Sequence, residues 1–597
     1  MRQSNIRRAS FLVLAVLTFL VANGHVSAAD KTHSLFELVG SDVGLFVELT
    51  NLRDEVPKFK GAEVFQRVQQ THFYQKWIDS PGFQKLLGVR TIVENITQKP
   101  IGKMAAELFG ESVVLAIYPR QDGEASAIFL TQTQTSASLE SALALWNQSK
   151  SVSIAEFKYH GHQYVRRTES KANGDQTEIQ FYTVIGQTFA VSDREGMIHR
   201  AIALAKRSTA DGAAATSVLE LSTYQHARKN VPDSAVAFAF FNPRAWDAAV
   251  AEGNLEDPAL TRMWPRFESA TASVTLERGI IIDAVVHYRG EGLPDAWSRF
   301  LHKTSGAAEF VKHVPDRAVA VFAGRYDPGV IGGMLGMLTK GLPERDKQQF
   351  ASFRRVMQGL LLGRDLFGDV LVWFEPNWGA YAVPRQKLVE GAVPLDGLIA
   401  FQIPAAGPQD QNAQDSLRAA LDNGLTTGLN FLAAIYNGRK NIEPATVRVD
   451  PTESGTIRWM DSYDAYRPAY CLTKQYLVLS SSPDLISEFL KGSRQDNLAS
   501  SRQFQGESDR FFPDENQILF VNLLNARQFL SENRQFFIDQ AVKSRSVSDA
   551  AAAEKISRLE ELSRIFDSAF VAARAEPRRI RIVAGAVVRQ SNSAPAR

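Results

Sequence analysis

Alternating and helically spaced apolar positions lay out most of the chain. Val43–Leu49 (VGLFVEL) is β-rich and reads as the first strand. From 51 to 108 the apolar residues fall three and four apart, at Phe65–Val68, Phe73–Trp77 and Ile92–Leu108, which is helical spacing. Phe109-Gly110-Glu111 introduces strand Val113–Tyr118, stopped by Pro119. Asp122-Gly123 signals a hairpin, with Ala127–Thr131 as the returning strand. Ser138–Lys150 reads as a helix with Leu139, Ala142, Leu143 and Trp146 on one face and Ser138 as its cap. Val152–Tyr159 and Gln163–Thr168 pair around His160-Gly161. Helices at 194–207 and 217–228 precede strand Ala235–Phe241, the short helix Pro243–Val250, and the pair Thr271–Leu276 and Ile280–Tyr288.

One stretch of this pattern returns. Tyr182–Ser192 (YTVIGQTFAVS) recurs as Tyr470–Ser480 (YCLTKQYLVLS), 288 residues later. Tyr182 meets Tyr470, Gln187 meets Gln475 and Ser192 meets Ser480. Each copy reads as a tight hairpin, turning at Gly186-Gln187 or Lys474-Gln475, with a helix after it. Met197-Ile198 matches Leu485-Ile486 at the same offset. The second half repeats the order of the first. Ala318–Phe322 follows Val314-Pro315-Asp316, and Phe367-Gly368-Asp369 leads a strand Val370–Phe374 stopped by Pro376. Leu398–Ile403, the long helical segment Asp415–Tyr436, the hairpin of Thr446–Val449 with Thr456–Met460, and helix Pro483–Leu490 come next. Pro513-Asp514 opens strand Gln517–Leu523, with Asn525 in the place of Asn242. Phe267–Ala270 returns as Phe566–Ala569, and the last hairpin turns at Glu576-Pro577. Strands joined by tight turns and segregated helix blocks predict an α+β fold. It has two sequence-related halves, each mainly antiparallel β-sheet with helices packed on it. The expected division is a first repeat at 30–295, a connector at 296–313, a second repeat at 314–590 and a disordered tail at 591–597.

Residues 1–29 read as an export signal. Arg2, Arg7 and Arg8 precede the apolar run Phe11–Val21, and Val26-Ser27-Ala28 is a small-residue cleavage site, with Ala29 as the alternative. That run is short for a membrane span. The expected location is therefore the periplasm or the outside of the cell, with no transmembrane span after signal removal. Without the three leader arginines, 64 basic residues face 65 acidic ones. With that balance nothing argues for nucleic acid or an anionic membrane surface as a partner. Cys471 is the one cysteine, so no intramolecular disulfide forms. In the apolar strand Ala469–Thr473 it reads as a small buried hydrophobe rather than a reactive thiol.

Tyr182–Ser192, Ser222–Phe241, Tyr470–Ser480 and Ser501–Leu523 together resemble a class of exported bacterial proteins grouped as domains of unknown function. Their pattern combines a helix, S-x-x-[FY]-Q, P-D and an apolar strand with a Y-x-x-x-x-G-x-x-x-x-S hairpin. Lys474 departs from it, standing where Gly186 stands. The resemblance implies an exported α+β protein and lends no catalytic residue.

Residue patterns that carry chemistry are few. With His25 of the leader, His33 near the new N-terminus and His313 between the halves set aside, seven histidines remain, at 72, 160, 162, 199, 226, 287 and 302, all in the first half, so no His-based site is duplicated. His160-Gly161-His162 could share a metal, but zinc needs three or four ligands and nothing nearby supplies them. A solvated turn is the simpler reading, and neither metal nor cofactor is expected. There is no G-x-S-x-G elbow and no phosphate-binding G-x-x-x-x-G-K-[ST] loop. Gly329–Gly336 is glycine-rich, and its Gly332-x-x-x-Gly336 spacing suits close helix packing or a flexible apolar lip. The best binding candidate is Trp459, Asp461, Tyr463, Asp464, Tyr466 and Arg467, which joins aromatic faces to carboxylates between two strands. That mixture suits sugar or peptide recognition, or acid–base chemistry by two carboxylates. The alternative is a polar hairpin loop with Tyr packed on the sheet. The sequence thus points to a non-catalytic binding or scaffold protein of the cell envelope, whose partner is an envelope protein, glycan or lipid. The other readings are a carboxylate-based envelope hydrolase and a periplasmic carrier of an apolar ligand.

Overall fold

The computed structural model describes residues 35–589 except 98, 121–123, 149–150, 171–176, 207–208, 211–212, 215, 253–262, 277, 290, 292–308, 341–342, 391, 406–410, 440–443, 463–466, 492–495 and 546. The leader with Ala28 and Ala29, the Asp122-Gly123 turn and the tail lie outside these residues. The chain divides into two units, one ending at Arg289 and the other starting at Gly290. The fold is α+β, and each unit is built on an antiparallel sheet.

The first unit contains β1 (Leu45–Thr50), β2 (Ser112–Pro119), β3 (Ala125–Gln132), β4 (Val152–Tyr159), β5 (His162–Ser170), β6 (Thr177–Ile185), β7 (Thr188–Ser192), β8 (Ala237–Phe241), β9 (Phe267–Thr275) and β10 (Gly279–Tyr288). Their order across the sheet is β4-β5-β6-β7-β3-β2-β1-β8-β9-β10, every pair antiparallel. Helices α1 (Leu52–Gly61), α2 (Glu63–Gln69), α3 (His72–Ile78), α4 (Pro81–Thr97) and α5 (Ile101–Phe109) fill the β1–β2 connection. α6 (Ser136–Asn147), α7 (Glu195–Ala205), α8 (Ser222–Arg228) and α9 (Asp247–Glu252) follow among the described residues. One face of the sheet carries Phe46, Val114, Ala116, Ile128, Leu130, Phe238 and Phe240, packed against Ile198 and Ile202 of α7 and Tyr224 of α8.

The second unit contains β11 (Ala320–Gly324), β12 (Trp378–Pro384), β13 (Leu395–Gln402), β14 (Thr446–Thr452), β15 (Gly455–Asp461), β16 (Ala469–Leu472), β17 (Tyr476–Ser480), β18 (Gln517–Asn522), β19 (Ser568–Glu576) and β20 (Arg579–Val587). The order is β14-β15-β16-β17-β13-β12-β11-β18-β19-β20, all antiparallel. Each strand takes the place of the one numbered ten lower in the first unit. The helices are α10 (Gly329–Lys340), α11 (Glu344–Leu360), α12 (Gln411–Arg439), α13 (Pro483–Leu490), α14 (Arg502–Phe511), α15 (Leu523–Glu532), α16 (Arg534–Arg545) and α17 (Asp549–Ser563). α12 and the segment 361–374 cover Trp378, Phe401 and Leu477 on one side of this sheet.

The hairpins Tyr182–Ser192 and Tyr470–Ser480 use their matched residues alike. Ser192 donates its hydroxyl to the Ala127 carbonyl of β3 and accepts from the Arg194 N–H. Ser480 donates to the Gly397 carbonyl of β13 and accepts from the Ser482 N–H. The Gln187 carbonyl accepts from the Thr133 N–H as that of Gln475 accepts from Ile403. Ile198 and Ile486 are both fully buried, each contributing about 1.5–3 kcal/mol of burial free energy. The turns differ. Gly186 has φ +62°, a left-handed geometry suited to glycine. At the other turn the Thr473 hydroxyl accepts from the N–H groups of Gln475 and Tyr476, so Lys474 is accommodated without glycine. His160 and Gly161 both have positive φ, the two-residue turn that matches strand twist.

Several expectations are corrected. Val370–Phe374 is not a strand. Leu366–Val370 is a wide helical turn, followed by the 3-10 turn Leu371–Trp373, and β12 begins only after Pro376. Asp365 accepts from the Gly368 N–H at 2.7 Å while Asp369 accepts from the Asp365 N–H at 2.8 Å. These reciprocal bonds nucleate a turn, and burial of Val370 and Phe374 against α12 overrides the β-propensity of the run. The cap of α6 is Thr135, whose hydroxyl oxygen accepts from the Ser138 N–H. Asn522, not Asn525, is the counterpart of Asn242; each stands at the end of its strand and caps the helical element that comes next. Within the expected connector, Glu309–His313 is a 3-10 turn with Phe310 and Val311 buried in the second unit, beside β11. Gly329–Lys340 is helical, and a side chain at Gly332 would meet Phe367 at 2.7 Å, so that glycine serves close packing.

Candidate functional site

Trp459 lies on β15 between Arg448 and Ala469 in register. It is 7 % exposed. Its indole N–H donates to Asp450 Oδ2 at 2.6 Å. The Arg467 guanidinium covers one ring face, 4.3 Å from the centroid, and such contacts are worth about 1 kcal/mol. Asp461, at the end of the same strand, pairs with Arg448 at 2.6 Å. Arg467 also reaches Asp484 at 3.3 Å. The structure therefore brings Trp459, Asp461 and Arg467 together, in a network with Arg448, Asp450 and Asp484. Tyr463, Asp464 and Tyr466 lie outside the described residues. In this arrangement the indole edge, one indole face and the Asp461 carboxylate are all engaged within the protein.

A second site was not legible in the sequence. A polar cavity of about 210 Å³ in the second unit is lined by Lys312, His313, Asp316, Arg317, Glu488 and Asp496, among others. The segment that forms its wall is held by the Leu498 N–H donating to the Val314 carbonyl. Arg317 forks onto Glu488 through two 2.7 Å bonds. The His313 ring packs 5.0 Å from Phe489 and 5.6 Å from Tyr476. Burial holds its pKa below the ordinary histidine value.

The corresponding place in the first unit holds the opposite pairing. Arg200 is 288 residues before Glu488, the offset of the repeat hairpins, and Asp42 is 275 before Arg317, the offset of the fully buried Val39 and Val314. Arg200 donates to both Asp42 carboxylate oxygens through its two terminal guanidinium nitrogens. The acid thus stands on the strand-leading loop in the first unit and on the helix in the second. Arg200 also lies 5.0 Å from the Tyr118 ring centroid, and the Tyr118 hydroxyl accepts from the Gly40 N–H at 2.9 Å. The guanidinium lies so close over Gly40 that a Cβ there would collide with it. Pro315 is the residue 275 beyond Gly40, and it lines the cavity together with Arg317 and Glu488.

The carboxylates with strongly shifted proton affinity lie elsewhere. Glu48 of β1 is 3 % exposed, and burial pushes its pKa up to about 7 against the opposing pull of Arg228 and Ser112. Glu507 of α14 is pushed up to about 7 by burial, with Ser568 donating to both oxygens at 2.7 Å. Both sit between helix and sheet. Cys471 is fully buried, and burial pushes its thiol up to about 11, in keeping with a small packed hydrophobe. His162 Nε2 is engaged by the Val184 carbonyl at 3.0 Å. Among the described residues no three His, Cys, Asp or Glu side chains group as metal ligands. None of the described helices is long and apolar enough to cross a membrane.

No family model and no curated protein matches the chain. A solved structure, crystal form I of TP0453, is similar over 46% of this chain and 88% of that one, with 10% identity and a TM-score of 0.22. A likeness that weak carries no argument about fold or function.

Proposed function

We propose that the chain is an exported, non-catalytic binding or scaffold protein of the cell envelope, formed by duplication of one α+β unit. The observation that carries the reading is the placement of its carboxylates. General acid–base work calls for a carboxylate with raised proton affinity facing a pocket. Among the described residues the two raised carboxylates, Glu48 and Glu507, are enclosed between helix and sheet, while Asp461, Asp484 and Glu488 are paired with arginines. The charge-exchanged pairs Asp42–Arg200 and Arg317–Glu488 support a common origin followed by divergence of the two binding surfaces. Export rests on the leader pattern at 1–29, and the resemblance to exported proteins of unknown function agrees with it.

A thermal-shift screen of Asp30–Arg597 against envelope glycans, peptides, lipids and metals tests the reading. A ligand at about 100 times its dissociation constant adds roughly 2.7 kcal/mol, which gives a visible shift. Turnover of a glycan or peptide that is abolished by Asp461→Asn would sink the non-catalytic reading. Recovery of an uncleaved chain in the cytoplasmic fraction would sink export.

A further inference from the structure

We propose that β4, at the outer edge of the first unit's sheet, pairs antiparallel with β4 of a second copy of this chain, so that two molecules join through one continuous sheet. The proposal goes beyond the envelope-binding reading and does not depend on it. Among the described residues β4 pairs with β5 alone. Residues 153–158 are exposed in succession, so both faces of the strand and its outer edge are open. Ile154 is 44 % and Phe157 40 % exposed. The two-residue turn at His160-Gly161 makes Tyr159 and His162 a hydrogen-bonded pair. Alternation then aims the backbone groups of Ala155 and Phe157 at β5, and the Ser170 N–H bond to the Ser151 carbonyl keeps the same parity. The N–H and C=O groups of Ile154, Glu156 and Lys158 point the other way, to the open side. An unpaired row of this kind is a template for another strand.

The second unit blocks the corresponding edge. Its outer strand β14 also closes on a two-residue turn, with Thr452 opposite Gly455 as Tyr159 is opposite His162. Counted back from the turn, β14 ends Asp450-Pro451-Thr452 where β4 ends Phe157-Lys158-Tyr159. Pro451 thus stands at an outward position and offers no N–H to a neighbouring strand, the usual protection of a sheet edge. Lys158 stands in the same place in β4 and keeps its outward donor.

Hydrogen-bond parity and charge choose the occupant and its register. Antiparallel bonds form only between residues whose groups both point outward, so in a two-fold pairing residues 154, 156 and 158 must meet one another. A register centred on Glu156 or on Lys158 sets like charges directly opposite, which is repulsive. One centred on Ile154 or Ala155 leaves both charges without a counter-charge. The register centred on Phe157 sets Glu156 opposite Lys158 twice, once on each side of the two-fold axis. It also sets Phe157 against its own copy, on the face where Phe157 stacks on Tyr164 with ring centroids 5.5 Å apart. Among the described residues Glu156 accepts from the neutral Gln163 amide at 2.7 Å and Lys158 has no ion-pair partner, so both charges are available across the contact. The edge complements itself, which an isologous contact between two copies requires.

Sedimentation of the full mature chain tests this. The parent should dimerise as its concentration rises. Glu156→Lys and Lys158→Glu should each raise the dimer dissociation constant by about tenfold, because each turns two opposite-charge pairs into like-charge pairs. An equimolar mixture of the two variants should dimerise again, since each then supplies the charge that the other lacks. Lys158→Pro, which copies Pro451, should abolish the dimer. All three variants should keep the parent melting temperature, because the side chains are exposed and the N–H removed points outward. On mild oxidation Phe157→Cys should give a disulfide-linked dimer and Ala155→Cys should not, because residue 157 meets its own copy; Cys471 is buried and does not compete. A monomer at every concentration overturns the proposal. So does a failure of the mixed variants to dimerise, or cross-linking through Ala155→Cys in place of Phe157→Cys. A ligand found in the thermal-shift screen for a chain that stays monomeric would leave the binding-protein reading intact while removing this one.

Discussion

Replacing Glu507 by Gln should make the second unit more stable at alkaline pH and leave it unchanged in acid. The carboxyl is 8 % exposed, and burial raises its pKa from 4.5 to about 7 in the fold. A buried acid with a raised folded pKa prefers its protonated form. Its favourable contribution is fully present below the unfolded pKa of about 4.5. It falls as pH rises toward 7, because in that window the native state binds the proton that the unfolded state has released. A shift of about 2.5 units corresponds to roughly 3 kcal/mol. Glutamine keeps the shape and an oxygen able to accept from Ser568, but never ionises. Urea unfolding followed by circular dichroism should therefore show the variant equal to the parent near pH 4.5 and about 3 kcal/mol more stable at pH 8. For a unit of this size that is a rise of about 5–10 °C in melting temperature. A difference that is constant across the pH range, or that grows toward acid, would refute the burial argument. Glu48→Gln should move the first unit in the same direction by less, because Arg228, 3.4 Å from Glu48, loses its charged partner.

Three further outcomes follow from the geometry. Asp42→Arg should destabilise the first unit by about 0.5–1 kcal/mol, a modest figure because Asp42 is well exposed. Adding Arg200→Glu, which copies the charge order of Arg317–Glu488, should restore most of that loss in a double-mutant cycle, and strictly additive effects would contradict the equivalence. Gly424→Ala should cost about 1–3 kcal/mol through collision with Leu360. Gly428→Ala, which meets open space, should instead stabilise α12 by up to about 1 kcal/mol in denaturant titration. Cys471, the sole thiol, should stay unreactive toward a disulfide reagent at pH 8 and label completely in urea; rapid native labelling would contradict its burial.

The sequence by itself determined the local elements and the matched hairpins. Side-chain alternation marks a strand wherever one face is buried, and turn chemistry at His160-Gly161 and Gly186-Gln187 closes the hairpins without help from distant residues. Tyr182, Ser192, Tyr470 and Ser480 were recognisable as counterparts, and the hydroxyl bonds of the two serines show why serine occupies both places. Of the candidate site, the sequence located Trp459, Asp461 and Arg467 but could not show that Arg448, Asp450 and Asp484 already engage them, since those partners arrive from a neighbouring strand or a later helix. The cavity beside His313 was invisible because it depends on Arg317 meeting Glu488, which is 171 residues away. The tertiary structure alone decided the strand order, including β1 against β8 and β3 against β7. It also turned Val370–Phe374 away from strand geometry and left Phe431, Leu432 and Ile435 of α12 exposed. A periodic pattern states which face of an element is apolar. Whether that face is covered depends on elements far along the chain, and no local pattern carries that information.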